Sequence, residues 1–328
     1  MPANLPPHYF EAEKRYREAK SPEEKVRALE EMLTIMPKHK GTDKLRASLT
    51  SKIAKFKALA QQKKSTSRRD AAYAIEKEGA LQIACIGPPN TGKSSLVASL
   101  TKATPEVADF PHSTWKPTPG MAAFENVQFQ LIDTPPINRE YVDPWMADLM
   151  RRADILAIVV DLKDDPFGHF DETVEVLNSL RIYPKGLSIP SDLPKKPFVK
   201  KTMVVVNKVD TEKDEEDFEV FLELSEMALP CVPYSTRHDK YRGGLLKKIY
   251  EVGEIIRVYT KAPGKEPDLK APFVLPKDST LEDLAAKIHK DFLEKLKYAK
   301  IWGVAVFNGQ MVQKDYVLQD GDIVEMHI

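Results

Sequence analysis

Gly87-Pro88-Pro89-Asn90-Thr91-Gly92-Lys93-Ser94 follows an apolar run at 81–86 and precedes an apolar-spaced segment at 96–100. Strand, glycine-bounded loop, helix: this is the order in which G-x-x-x-x-G-K-S wraps phosphate. The glycines let successive backbone N–H groups turn inward. The helix that follows presents its positive end, and the Lys93 ammonium reaches the β- and γ-phosphates. Nucleotide contact is therefore expected from Gly87, Pro88, Pro89, Asn90, Thr91, Gly92, Lys93, Ser94 and Ser95. Ser94 is the expected Mg²⁺ ligand.

Outward from this loop, apolar runs at 127–132, 155–162 and 203–207 alternate with helical segments. That alternation implies an α/β class with a doubly wound, mostly parallel sheet, the P-loop NTPase architecture, whose site lies in the loops after the strands. Val127-Gln128-Phe129-Gln130-Leu131 alternates apolar with polar residues and reads as a strand nearer the sheet edge. Asp133 closes that run, where a carboxylate can hold a magnesium-bound water. Thr114 lies in a polar loop between the phosphate loop and Asp133, and its hydroxyl could join the same ion when a γ-phosphate is present. Lys93, Thr114 and Asp133 form the expected catalytic set.

Asn207-Lys208-Val209-Asp210 follows the buried run at 203–206 and matches N-K-x-D. An ionised Asp210 accepts from the N1–H and exocyclic amine of guanine, whereas adenine offers an acceptor at N1 and no C2 amine. A mispaired buried carboxylate rejects the wrong base. Asn207 can tie this loop to the phosphate loop, and the stem of Lys208 can cover the base. Downstream, Ser235 and Thr236 in Tyr234-Ser235-Thr236-Arg237 read as the loop whose backbone meets guanine O6.

The chain's 328 residues suit about two ordinary domains or more. No apolar run approaches the roughly 20 residues a membrane-spanning helix needs, and the first residues lack a secretion signal, so no membrane association and a cytoplasmic location are expected. Cys85 and Cys231 fall in separate apolar segments and read as buried thiols. Lys plus Arg and Asp plus Glu each number 49, so the net charge is zero and any nucleic-acid face must come from the distribution of charge.

Before the phosphate loop, Ser21 and Glu24 form a capping box for one helix, and Leu45, Leu49, Ile53, Phe56 and Leu59 mark a second. An antiparallel helical hairpin follows, basic along its second helix through Lys44, Arg46, Lys52, Lys55, Lys57, Lys63 and Lys64. That face is either a solvated surface or a phosphate-backbone contact. Near the other end, strands are expected at 273–275, 303–307 and 323–326, with a capping box at Ser279 and Glu282 and a type I′ turn at Asn308-Gly309. The expected domains are 1–78, 79–258 and 259–328.

Together these residues resemble the Obg-related GTPases, especially the developmentally regulated GTP-binding proteins. Phe110-Pro111-His112-Ser113-Thr114-Trp115-Lys116-Pro117 parallels that family's switch segment, F-T-T-L-x-P, and keeps Thr114. The run from Arg257 to Lys261, Ile288-His289-Lys290-Asp291, Trp302-Gly303 and 320–325 resemble its C-terminal TGS domain, a β-grasp fold. The resemblance implies binding of GTP and GDP, slow GTP hydrolysis, work on a ribosome or RNA, and a protein partner for the TGS domain. Two departures bear on mechanism. The family's D-x-P-G is here Asp133-Thr134-Pro135-Pro136, so the glycine N–H that would donate to the γ-phosphate is missing. Ile137 stands where many GTPases orient water with a glutamine. Relatives without that glutamine use K⁺ held partly by the loop asparagine, here Asn90; the alternative is that Asn90 only makes the turn.

Overall fold

The computed structural model describes residues 6–19, 22–37, 42, 45–57, 75–101, 117–139 and 142–327. The chain divides into two compact units, Met1–Ala74 and Ile75–Ile328.

In the first unit, α1 (Pro7–Glu18), α2 (Pro22–Ile35) and α3 (45–57) bury Tyr9, Ala12, Leu29, Met32, Met36, Leu49 and Ile53 against one another. α2 and α3 run antiparallel, as the hairpin reading expects. Arg46 donates to Leu33 O at 3.2 Å and Met36 O at 2.9 Å, while Lys57 meets Glu30 at 2.7 Å toward the other end. Arg46 thereby caps carbonyls that the end of α2 leaves open. The helix α1 was not bounded in the sequence, although Tyr9, Ala12 and Tyr16 have the spacing of one helix face. Ser21, Lys44, Lys63 and Lys64 lie outside the described residues.

In the second unit a seven-stranded sheet has the order β2-β3-β1-β4-β6-β5, with β7 also paired to β6. Its strands are β1 (Leu81–Ile86), β2 (Thr118–Phe124), β3 (Val127–Asp133), β4 (Ile155–Asp161), β5 (Ile182–Pro184), β6 (Phe198–Asn207) and β7 (Cys231–Pro233). All pairs are parallel except β2 with β3. β1 and β4 are buried along their whole lengths, as strands covered on both faces must be. The helices are α4 (Lys93–Leu100), α5 (Pro144–Arg152), α6 (Pro166–Ser179), α7 (Glu212–Ser225) and α8 (Arg242–Gly253). Arg242 fixes the end of α4, donating to Ser99 O and Leu100 O at 2.7 and 3.0 Å.

β3 lies one strand in from the edge, which β2 occupies. Gln130, polar in the alternating pattern, is nonetheless buried. Its carboxamide accepts from Gln82 Nε2 at 2.8 Å and donates to Glu76 O at 3.1 Å. β2 was illegible because Pro119 and Gly120 are poor strand formers; its antiparallel pairing with β3 carries it.

The rest of this unit is a β-grasp: a five-stranded sheet ordered β11-β10-β12-β8-β9 with a helix packed on it. The elements are β8 (Ile255–Thr260), β9 (Phe273–Pro276), α9 (Leu281–Ile288), α10 (Lys290–Lys295), β10 (Tyr298–Trp302), β11 (Gln310–Val312) and β12 (Ile323–His327). β8 runs across the expected boundary at 258/259. Three local expectations fail. Residues 303–307 form no strand: Val304 and Phe307 are 99% and 87% exposed, while the strand comes earlier, where Ala299 and Ile301 face the core. The capping box is one residue later, Thr280 with Asp283. At Asn308-Gly309 only Gly309 has positive φ, so the turn is not type I′.

The two sheets meet at the Glu125-Asn126 turn between β2 and β3. Arg257 of β8 pairs there with Glu125, reaches Asn126 Oδ1 at 3.3 Å, and holds Asp320 at 2.8 Å on its other side. Tyr250 of α8 donates to the same Asp320 at 2.6 Å.

Candidate functional site

The phosphate loop needs its glycines for space as well as for backbone freedom. A Cβ on Gly87 (φ +148°) would stand 2.5 Å from Val159 O, and one on Gly92 (φ +87°) would stand 2.3 Å from Asn207 Nδ2. Asn90 also adopts positive φ, as a turn residue does, and is exposed. Lys93 is 6% exposed and donates to Pro88 O at 2.6 Å, closing the loop on itself. Burial pushes its ammonium down to about 8, with the Asp133 carboxylate opposing.

Pro89, Asn90, Gly92, Lys93, Ser94, Ser95, Thr134, Pro136 and Lys208 line one cavity of about 480 Å³. Asp133 is buried beside it and is hydrogen-bonded by Ser94. Burial raises the Asp133 carboxyl, and the Ser94 hydroxyl and the Lys93 charge pull it back. Asp133 Oδ1 has no hydrogen-bond partner among the described residues. An orphaned carboxylate oxygen beside the Ser94 hydroxyl fits a divalent cation. Mg²⁺ takes one or two protein oxygens and completes its shell with phosphate and water, so Asp133 and Ser94 suffice as protein donors. Thr114, with the rest of 110–116, lies outside the described residues.

Thr134 turns inward, donating to Cys85 O at 2.7 Å. Pro136 faces the cavity with no N–H to offer. The next N–H, that of Ile137, is spent on Gly87 O at 3.2 Å, and the Ile137 side chain is buried in the core. Ile137 therefore cannot stand in for the missing donor without breaking a bond to the phosphate loop.

At the guanine end, Asn207 Nδ2 donates to Thr91 O at 2.9 Å, joining the two loops as the sequence suggests. Val209 N–H donates to Tyr234 O at 3.0 Å, which binds N-K-x-D to the loop after β7. Asp210 Oδ1 accepts from Ser235 Oγ at 2.7 Å. Thr236 is exposed and takes part in no hydrogen bond among the described residues. Burial alone would raise the Asp210 carboxyl, but hydrogen bonds from Ser235 and Lys163, with the charge of Arg237, hold it below the usual carboxylate range. It is thus ionised, as reading N1–H and the amine requires.

Two residues of this region were missed. Asp161 ends β4 directly across the sheet from Asn207 and pairs with Lys208, fixing the ammonium whose stem borders the cavity. Lys163 lies 3.3 Å from Asp210 Oδ2 and 3.0 Å from Asp214. The available signal was the acid-rich Asp161-Leu162-Lys163-Asp164-Asp165 immediately after a fully apolar strand, in the place where a doubly wound sheet puts its site.

Residues 82–217 match the family described as 50S ribosome-binding GTPase, and residues 256–328 match the TGS domain. An uncharacterized GTP-binding protein of Methanocaldococcus jannaschii is 28% identical over 363 aligned positions, covering 93% of each chain. Developmentally-regulated GTP-binding protein 1 of Xenopus laevis is 26% identical, over 77% of this chain and 84% of its own. Among solved structures, the YchF GTPase of Schizosaccharomyces pombe aligns with 77% of this chain and 99% of its own at 14% identity and a TM-score of 0.50, a likeness of fold alone.

Proposed function

Since this chain is a GTP-binding regulatory protein of the developmentally regulated, Obg-like type, a G domain joined to a TGS domain, we propose that it binds GTP and GDP with Mg²⁺, hydrolyses GTP slowly, and acts as a low-amplitude switch on a ribosome or RNA. In this reading residues 79–258 carry the nucleotide, 1–78 offer a basic helical face, and 259–328 meet a partner protein. Lys93 and the Gly87–Ser95 backbone hold phosphate; Ser94, Asp133 and Thr114 hold the ion. Asp210 reads the guanine edge, with Asn207 and Ser235 keeping it in place. Mg²⁺, when bound, neutralises charge on the β- and γ-phosphate oxygens.

The observation that carries the low amplitude is on the γ-phosphate side. Pro136 has no donor, and the Ile137 N–H is committed to Gly87 O. A charge-assisted hydrogen bond is worth about 1.5 to 3 kcal/mol, so the preference for GTP over GDP is about 10- to 100-fold weaker than with the glycine. Pro136→Gly should restore that preference; an unchanged affinity ratio removes the damping. Because Ile137 cannot orient water, hydrolysis leans on a monovalent ion at Asn90. Single-turnover hydrolysis with purified ribosomes should be slow, faster in K⁺ than in Na⁺, and insensitive to the salt in Asn90→Ala. Equal rates in both salts remove potassium. No hydrolysis in any condition favours a second reading, which the same proline supports: a binding module that guanine nucleotide stabilises without turnover.

A further inference from the structure

At the opposite end of the parallel strands from the nucleotide cavity, a second cavity of about 480 Å³ opens between the G domain and the TGS domain. Leu81, the first residue of β1, lines it, whereas Gly87 follows the last. Six strand residues at about 3.3 Å each put roughly 20 Å of buried strand between the two cavities. The G domain contributes the starts of β1 and β4, part of β6 and the end of α8; the TGS domain contributes β8, β9 and α9.

Four lysines line this space, Lys77, Lys200, Lys201 and Lys287, against two carboxylates, Asp154 and Glu254. Both carboxylates are already engaged. Asp154 meets Lys77 at 2.8 Å and accepts from the Gln82 N–H at 2.7 Å. Glu254 meets Lys201 at 3.0 Å and Lys185 at 2.9 Å. Lys200 and Lys287 are left with no carboxylate within ion-pair distance among the described residues. Lys200 donates to Arg151 O at 2.9 Å and Lys287 to Val274 O. Burial pushes both ammonium groups below their ordinary value. The charge of Lys77 adds to this at Lys287; at Lys200, Lys201 and Lys77 add to it while Asp154 opposes.

The lining thus carries four lysines against two carboxylates, with Lys200 partly buried and Lys287 exposed at its edge, and an excess of cations on a concave wall favours an anion. The cavity has the size of small-ligand sites, and apolar residues such as Leu81 and Val274 share its wall. We infer that this cavity binds a small phosphate-bearing anion, gripped by Lys200 from the G domain and Lys287 from the TGS domain. The phosphate is either free pyrophosphate-like anion or the end of a nucleotide; the recess between two domains favours a compact ligand over a nucleic-acid strand. An occupant touching both domains stabilises their junction by mass action.

The test uses the full chain loaded with one equivalent of fluorescently labelled GDP, so that the phosphate loop is filled and any displacement is visible. Titration calorimetry with pyrophosphate should show one site with no release of the label. Lys200→Gln and Lys287→Gln should each weaken it about tenfold or more, the loss of a charged hydrogen bond, while labelled-GDP affinity stays within about twofold and so reports intact folding. ADP binding more tightly than pyrophosphate, again without label release, assigns the phosphate to a nucleotide; weaker binding assigns it to the free anion. The inference is overturned if pyrophosphate binds only by expelling GDP, if the double substitution leaves binding intact, or if these lysines hold an oligoribonucleotide and no small anion.

Discussion

The buried ammonium of Lys93 hydrogen-bonds to a carbonyl, Pro88 O, so the nucleotide-free protein carries a partly desolvated charge awaiting phosphate. Lys93→Met should therefore raise the melting temperature of nucleotide-free protein while weakening GDP binding about 100-fold or more, the exchange of stability for activity that strained sites show. A less stable variant with unchanged affinity would refute this. Asp210 presents a related cost. Lys163 lies 3.3 Å from Asp210 Oδ2, so on the proposed guanine contact it must withdraw on binding. Lys163→Met should tighten GDP several-fold, about the worth of one surface-exposed charged contact, by equilibrium dialysis. If affinity falls instead, Lys163 touches the nucleotide rather than competing with it. The tie from Asn207 to Thr91 was legible because the two motifs that carry these residues each follow an apolar strand at fixed spacing. Asp161 and Lys163 were not, because their roles depend on the β4–β6 register, which no local pattern encodes.

Elements with a full local signature were read to within a residue or two: β1, β3 and β4 as apolar runs. Those that exist through partners were not: β2 through β3, and α1 through α2. The start of α7 shows how an element is held. Asp214 and Thr211 form a capping box, and Asp214 also takes the Asp210 N–H at 2.9 Å, so the helix cap and the guanine loop share one carboxylate. Burial alone would raise the Asp214 carboxyl, but Lys163 and the backbone N–H groups of Asp210 and Thr211 bring it down to about 2. A depressed folded value means its stabilisation is present above the ordinary value of 3.8 and is lost as the pH falls toward about 2. Asp214→Ala should cost about 1 kcal/mol or more in denaturant unfolding at neutral pH, and that difference should vanish near pH 2. A constant difference would detach the effect from the carboxylate.

At the scale of the whole molecule, Arg257 joins the turn between β2 and β3 to the TGS sheet and to α8 through Asp320. Arg257→Met leaves Asp320 without its cation and should lower the calorimetric melting temperature by several degrees, separating one transition into two, since each charged hydrogen bond is worth about 1.5 to 3 kcal/mol. A single unshifted transition would show that the contacts left in the variant, Tyr250 with Asp320 among them, unite the domains without Arg257. The fold class, a P-loop α/β domain with a C-terminal TGS domain, was legible from the sequence. The lysine-lined cavity was not, since Lys77, Lys200 and Lys287 come from three distant segments. Cosedimentation with ribosomal subunits should depend only weakly on GTP against GDP if the Pro136 switch is damped, and strongly in Pro136→Gly.

The bond from Asn207 to Thr91 spans 116 positions of chain, and Gly92 packs directly against the same carboxamide. During synthesis the phosphate loop emerges long before its clamp. A nascent chain ending short of residue 207 has the whole of 87–95 but neither the strut that holds Thr91 nor Asp210. On the proposed reading, nucleotide competence waits for β6 to pair with β4, which brings Asn207 to the loop. Guanine nucleotide can speed the closing steps of folding but cannot template the opening ones.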